Sequence, residues 1–590
     1  MGAVRTGARG RRAVPWAVVG LWAAALVLLG PLAGKFSGAQ QNRAVDYLPA
    51  GADSTQVARV QDELPGGEST DLVVVYHRDG GLTAADREAA AAQIAEVQRA
   101  YELSDVPRGV PSADGSTLMY PVSSMQPGQD EEAQFAFVDG VRETVEGTGG
   151  LSAEVGGPGA VGADMDAVFE TIDGTLLTAT LGVVTVLLVL IYRSPFLWLV
   201  PLAVAGAAAV LAMAAAYGAH ELFGITITGQ SGGIMTVLVL GAGTDYALLL
   251  VSRYREELRR HERPYDAMRA ALRGCGPAVL ASSGTVAAGL LCLLAADLNS
   301  SSGMGPVGTI GVLAALVAMT TLPPAVLVLL GRRVFWPLIP AFGSAPKARR
   351  SLFAAMGTSA ARRPAAVLAG GAVLLGALAL GTLNLGGDLR QEDSFTDRPE
   401  SVSAMRTPAE AYPERGAQPI TVIAPAGEAG EVVERVRETE GVAEATPGRA
   451  DDTWAEITVF ATAPPESAGE TRTIEALRDT LDGTGAHVGG PSAQQLDLAR
   501  SEARDRAVIV PLVLAAVFLI LVVLLRSLVA PLLLGAVVAV WGAALGIGGL
   551  VFGPLLGFAG TDPGIGLLSF VFLVALGVDY GIFPRSAATP

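Results

Sequence analysis

The chain alternates between long apolar stretches and two long polar ones. Ten stretches reach or approach the roughly 20 apolar residues needed to cross a bilayer core. They fall near 14–34, 174–192, 196–217, 233–252, 277–296, 304–330, 364–384, 506–525, 528–552 and 564–583. The short connections "YRSP" (Tyr192 to Pro195) and "LRSL" (Leu525 to Leu528) predict tight helical hairpins. In the polar region 37–173 the pattern changes to short β-type runs and amphipathic helices. "TDLVVVYH" (Thr70 to His77) is followed by a helix at 83–99, strands near 105–110 and 116–123, a helix at 129–147 and a strand into Val155. Region 385–505 repeats that order, from "PITVIAP" (Pro419 to Pro425) through helices near 428–439 and 468–481 to "AHVGG" (Ala486 to Gly490). Both regions predict β-α-β-β-α-β, the split βαβ or ferredoxin-like pattern.

Composition confirms the membrane class: 51% of the 590 residues are hydrophobic and only 17% charged, with a mean hydropathy of +0.45. A soluble enzyme has a different balance. The net charge of −16 is unevenly spread. Arginines crowd the N-terminus (Arg5, Arg9, Arg11, Arg12) and the stretches Arg253 to Arg273 and Arg332 to Arg363, whereas both polar regions are acidic. By the positive-inside rule both termini are cytoplasmic and both polar domains external. Cys275 and Cys292 lie seventeen residues apart on one predicted helix, about 25 Å, which excludes a bridge between them. The arginine-led first span is read as an uncleaved helix, although "RRAVPW" weakly resembles a twin-arginine signal.

Three landmarks recur in one register. "VGGPGAVGAD" (Val155 to Asp164) returns as "VGGPSAQQLD" (Val488 to Asp497) and Arg193-Ser194 as Arg526-Ser527, both after 333 residues. "GAGTDY" (Gly241 to Tyr246) returns as "ALGVDY" (Ala575 to Tyr580) after 334. The chain is therefore a duplication. Its expected layout is a cytoplasmic N-terminus with the first span (1–36), external domain 1 (37–173) and spans two to six (174–340), with an arginine-rich cytoplasmic helix at 253–273. A cytoplasmic linker (341–363), a seventh span (364–384), external domain 2 (385–505), spans eight to ten (506–583) and an atypical tail (584–590) complete it.

The chemistry lies inside the apolar runs. Asp245 is about twelve residues, or 18 Å, into the fourth span, and Asp579 matches it in the tenth. A charge at that depth costs at least about 2.5–3.5 kcal/mol, so such a carboxylate faces the bundle interior or water and is paired or protonated. Tyr246 and Tyr580 follow the aspartates, and Gly241, Gly243 and Gly577 are expected to let the helices approach closely. Ser282, Ser283 and Thr285 on the fifth span are candidate relay-support hydroxyls, with plain helix packing the equal alternative. "GQSGG" (Gly229 to Gly233) fits the nucleophile-elbow pattern but opens a span without the strand that the elbow needs. No phosphate loop or H-E-x-x-H motif occurs, and His77, His220, His261 and His487 show no metal spacing. No cofactor, metal, enzymatic activity or nucleic-acid partner is expected.

"GAGTDYALLLVSRYREEL" (Gly241 to Leu258), "DYLPAGADS" (Asp46 to Ser54), the "VGGP" pair and "GVDYGIF" together resemble the MMPL family (mycobacterial membrane protein large) within the RND superfamily. The resemblance covers nearly the whole chain. It implies an inner-membrane exporter of lipids or other hydrophobic compounds, driven by protons through Asp-Tyr pairs that map onto Asp245–Tyr246 and Asp579–Tyr580. It also implies external domains that form a porter-like cavity, and homo-oligomers or accessory membrane proteins as partners. The second half lacks counterparts of "SRYREE" (Ser252 to Glu257) and of spans five and six, which reads as a C-terminally truncated member. A truncated, inactive product and a non-transporting scaffold or sterol-sensor-like protein are the other readings of the same residues.

Overall fold

The computed structural model describes residues 3–41, 47–67, 69–104, 107–128, 131–147, 149–344, 359, 361–385, 399–404, 419–525, 530–558, 560–562 and 564–577. Along the chain run helices α1 (Ala3–Ala33) and α2 (Asp53–Glu63), strand β1 (Thr70–His77), α3 (Ala84–Ala100), β2 (Val110–Pro111), β3 (Thr117–Ser124), α4 (Glu131–Thr144) and β4 (Ser152–Gly156). Helices α5 (Pro158–Tyr192), α6 (Leu199–Phe223), α7 (Gly229–Arg260), α8 (Pro264–Leu291), α9 (Asn299–Leu330) and α10 (Pro364–Ala379) follow. The second half gives β5 (Ile420–Pro425), α11 (Ala429–Glu438), β6 (Val442–Ala450), β7 (Trp454–Ala461), α12 (Ala468–Leu481), β8 (His487–Gly489), α13 (Pro491–Leu525), α14 (Ala530–Val551) and α15 (Gly564–Gly577). These elements form two units, a helical one (1–42, 172–388, 504–590) and an α/β one (43–171, 389–503).

In the helical unit, nine helices among the described residues are long and apolar enough to cross a membrane. The tenth expected span is described as the shorter apolar helix α15, and its remainder lies outside the described residues. Helix α5 and its counterpart α13 have 35 residues each and begin at the proline of a "VGGP" motif, so each is longer than the apolar stretch inside it. The arginine-rich stretch 253–273 is not one helix, as expected, but is divided between α7 and α8. Extended backbone at His261 and Arg263 separates the two, and Pro264 sits at the first turn of α8, where its missing N–H costs nothing.

Among the described residues, two of the buried clusters in this unit set its main contacts. One joins α1, α6, α7 and α9 through Trp22, Ala205, Ala208, Met235 and Met319, and Trp22 Nε1 donates to Thr321 Oγ1 at 2.9 Å. The other joins the two halves: Leu238 of α7, Val286 and Leu290 of α8 and Val312 of α9 pack with Ile509 and Val513 of α13 and Phe570 and Val574 of α15. Small residues set the closest approaches. A Cβ at Gly546 of α14 would lie 1.9 Å from the Leu378 carbonyl oxygen of α10. Asp505 of α13 is fully buried and accepts from the backbone N–H of Asp297 (2.7 Å) and Leu298 (3.2 Å), supplying from the other half the cap that α9 lacks.

The α/β unit holds two four-stranded antiparallel sheets ordered β2-β3-β1-β4 and β6-β7-β5-β8, as the split βαβ pattern requires. Each encloses its own core. Leu72, Val74, Tyr76, Ile94 and Val138 build the first. Val422, Val436, Ile457, Leu477 and Val488 build the second. Burial of Tyr76 in the first core pushes its phenol well above the ordinary value. The helices start at local caps: Thr83 and Asp86 form a reciprocal capping box on α3. A hydrogen bond from Arg78 (2.7 Å), with further ones from Thr83, holds the Asp86 carboxyl at about 2.

The two "VGGP" motifs are seats for exchanged arms. Helix α2, from the first half, lies on the second sheet, with Val57, Val60 and Leu64 on one face against Ile423 of β5. Gly489 lies directly under Val57, where a Cβ would come within 2.5 Å. Segment 400–404, from the second half, takes the matching seat on the first sheet, where a Cβ at Gly156 would come within 2.9 Å of the Ala404 Cβ. Gly157 and Gly490 take φ of 95° and 97°, the left-handed region that favours glycine. The last residue of each motif binds the arm's first turn: Asp497 accepts from Ser54 N (3.4 Å) and Oγ (2.6 Å), Asp164 from Ser401 N (3.3 Å). Arg478 pairs with Asp497 at 2.6 Å and Arg142 with Asp164 at 2.9 Å. Asp53 of the first arm also meets His487 Nδ1 at 2.8 Å.

Substituting Gly489→Val forces α2 off its seat; overpacking of this kind costs about 1–3 kcal/mol. Asp497→Ala leaves Arg478 without its closest partner and costs about 3–5 kcal/mol, the penalty for breaking a buried pair. Thermal unfolding of the detergent-solubilised chain measures both, with amide exchange of α2 reporting release of the arm. The depressed Asp86 carboxyl contributes stability present above its usual 3.8 and lost as pH falls towards about 2. Amide exchange of β1 and α3 should accelerate across that window, and Asp86→Asn should flatten the dependence.

Candidate functional site

Helix α7 is set at its start by Thr228 and Ser231. Thr228 Oγ1 accepts from Ser231 N (3.1 Å) and Ser231 Oγ lies 3.0 Å from Thr228 N, a reciprocal cap. The serine of "GQSGG" thus serves helix initiation. From there α7 runs 32 residues, about 48 Å, and Asp245 falls at its midpoint.

Asp245 is half-buried. Residues seven and eleven before it on a helix point the same way, and these are Leu238 and Ile234, both in the cluster where the two halves meet. Asp245 therefore lies on the α7 stripe turned towards the other half. Tyr246, one residue on, is only 3% exposed and packs in the cluster of α1, α6, α7 and α9. Adjacent residues point about 100° apart on a helix, so the pair serves two surfaces.

Two of the three glycines lie at close contacts between helices. Gly243 admits Met319 of α9, whose Cε would be 2.9 Å from an added Cβ, and Gly577 admits Val537 of α14 at 3.0 Å. A Cβ at Gly241, one turn before Asp245, would meet nothing within 4 Å among the described residues. Gly243 thus lets α7 approach α9 and Gly577 lets α15 approach α14, while Gly241 makes no close contact among the described residues.

Helix α8 touches both α7 and α15, with Ala575 Cβ 3.1 Å from where a Cβ on Gly289 would stand. Ser282, Ser283 and Thr285 are all buried in it. Ser283 donates to the Val279 carbonyl and Thr285 to that of Ala281, both at 2.9 Å, which binds these hydroxyls to their own helix. Asp579 and Tyr580 lie outside the described residues. Among the described residues no group of three or more His, Cys, Asp or Glu could hold a metal ion. One residue that the sequence did not mark is Tyr192, at the end of α5, which is 5% exposed and packs with Leu250, Val251 and Tyr254 of α7. Its position beside the "YRSP" turn was legible, but its packing against a helix distant in sequence was not.

Two repeated sets of apolar helices, each with an inserted α/β domain, and a carboxylate at the middle of one helix define a multi-pass membrane protein of transporter architecture. The chain belongs to the MMPL family, whose model matches residues 46–367 and 403–585. It is 41% identical to putative membrane protein ActII-3 of Streptomyces coelicolor over 97% of this chain and 82% of that protein. It is 29% identical to the apo-petrobactin exporter of Bacillus anthracis over 91% of this chain and 79% of the exporter. Among solved structures, the hedgehog release protein Disp from the water bear Hypsibius dujardini shares the fold, with a TM-score of 0.52 at 12% identity over 80% of this chain and 67% of that one.

Because their hydroxyls only back-bond, Ser283→Ala and Thr285→Ala should each change stability by less than about 1 kcal/mol. Gly243→Leu drives a side chain into Met319 and should cost about 1–3 kcal/mol. Thermal unfolding in detergent separates the two classes.

Proposed function

We propose that the protein is a proton-driven exporter of lipids or other hydrophobic compounds, with Asp245–Tyr246 and Asp579–Tyr580 as its proton-binding pairs. The observation that carries this reading is Asp245 itself: one carboxylate at the centre of a 32-residue helix, on the stripe turned towards the other half of the bundle. A carboxylate taken out of water favours its neutral form, so loading and losing a proton changes what its surroundings must accommodate. Two arrangements of the halves, one for each protonation state, convert a proton gradient into movement. Ser282 on the helix between α7 and α15 is the relay-support hydroxyl in this scheme, while Ser283 and Thr285 pack. Protons are taken from outside, where both α/β domains lie; the arginine-rich loops and both termini are cytoplasmic, and the membrane is the bacterial inner membrane.

The exporter relative supports the direction of transport, and its name makes petrobactin a probe cargo to set beside lipids. The test uses proteoliposomes of the full chain with an imposed pH gradient, with petrobactin and a fluorescent phospholipid as probe cargoes. Gradient-driven movement of at least one probe is expected, and Asp245→Asn should reduce it to the level of empty vesicles. Unchanged movement in Asp245→Asn would falsify the assignment.

A further inference from the structure

Beyond the last turn of α9 the chain forms a hook. A short 3-10 helix (Gly331–Phe335) opens it, and the backbone then turns back through 336–343. Arg332 closes the hook by donating to the carbonyls of Pro340 (2.8 Å), His261 (2.6 Å) and Glu262 (3.1 Å). Gly343 N donates to the Arg259 carbonyl at 2.9 Å and Ser194 Oγ to that of Val334 at 3.0 Å, fastening the segment to the end of α7 and to the turn after α5. Phe335 is buried beside Tyr254 of α7, their ring centroids 6.0 Å apart. Trp336, Leu338, Ile339 and Phe342 are instead left 47% to 58% exposed. Large apolar side chains crowded just past a span suit the boundary between hydrocarbon and headgroups, not bulk water.

The hook also gathers arginines. The Arg255 guanidinium lies 5.9 Å from the centre of the Phe335 ring and reaches the Leu338 carbonyl at 3.4 Å. Its buried Nε has no hydrogen-bond partner among the described residues. Arg259, one turn further along α7, shares that helix face. Arg193 stands in the turn whose Ser194 holds Val334, next to Phe335. Among the described residues none of these three arginines pairs with a carboxylate, because the acids of the stretch are already engaged. Glu256 pairs with Arg253 at 2.8 Å and Arg260 at 2.9 Å. The buried Glu257 meets Arg253, Arg260 and His261 at 3.2, 3.4 and 3.3 Å. The end of α7 thus sorts its charges: one face is internally paired, and the face on the hook is cationic without a counter-ion.

We propose that Arg193, Arg255 and Arg259 bind the phosphate of an anionic phospholipid headgroup, whose acyl chains lie along Trp336, Leu338, Ile339 and Phe342. A guanidinium offers paired N–H donors that match phosphate oxygens. A lipid supplies together the negative charge that the arginines lack and the apolar cover that the hook lacks. A free phosphate or an acidic peptide supplies only the first. The site rests on the membrane class of the chain and is independent of the proton reading of Asp245.

Tryptophan quenching of the full chain in phosphatidylcholine nanodiscs tests this, with the Trp336 signal taken as the difference from Trp336→Phe. Phosphatidylglycerol brominated on its acyl chains should half-quench that signal at a mole fraction at least about fivefold below that of brominated phosphatidylcholine, and Arg255→Gln and Arg259→Gln should each raise the phosphatidylglycerol value about fivefold, the worth of one arginine at an anionic surface. Arg259→Gln leaves the Phe335 contact in place and so decides the matter even where Arg255→Gln disturbs the fold. Arg260→Gln, which removes a paired charge, should leave the value unmoved. Equal half-quenching by the two lipids, or an equal loss in Arg260→Gln, reduces the cluster to general surface charge and overturns the site. Quenching by neither lipid means that something other than lipid covers the hook, and overturns it as well. If inorganic phosphate abolishes the preference where sodium chloride of the same ionic strength does not, the occupant is a free anion and the lipid assignment fails.

Discussion

A carboxylate half-way along a membrane helix constrains everything packed around it. At the bilayer centre its charged form costs several kilocalories per mole unless water or polar groups reach it. Helix α7 answers by turning Asp245 along the Ile234–Leu238 stripe, towards the meeting place of the halves and away from the alanine-lined contact with α6. Tyr246 then falls on a closely packed surface, and Gly243 admits Met319. The contacts of α7 with α6 and α9 are tight because its other stripe carries the one group that tight packing could not hold.

Much of this was legible in the residues. Spans read as apolar runs because a bilayer leaves no other option for a backbone that must satisfy its own hydrogen bonds. The sheets read as short β-type runs. "PITVIAP" is hydrophobic without alternation, and the structure supplies the reason: β5 is covered on one face by its own core and on the other by the Ile423–Val57 contact. The repeat register was legible because three separate landmarks shared it. Helix ends were less so. The extra turns of α5 and α13 before the membrane are polar, and polarity alone does not distinguish a helix from a loop. The break at 261–263 depended on Pro264, a signal weaker than the continuous run of charges around it.

What the residues could not disclose were contacts between distant positions. Nothing local marks "VGGP" as a seat for Val57 or Ala404, since the glycines show only that something comes close. Nothing in the "YRSP" turn says that its tyrosine packs against α7. Gly241 shows the converse: a small residue beside a polar one suggests a packing site, whereas among the described residues nothing comes within 4 Å of a Cβ there. Composition ranks residues for burial, but only topology says against what.

The exchanged arms have a further consequence. Val57 sits on Gly489 and Ala404 on Gly156, and the two arm segments correspond at a constant shift of 347 residues. Each half thus completes the other's sheet and leaves its own to be completed. This is the arrangement of a two-fold dimer with swapped segments, here joined in one polypeptide. A single half expressed alone would carry an unfilled seat and an unseated arm, and two such halves would be complementary by construction. The two repeated modules are therefore interlocked, not independently finished.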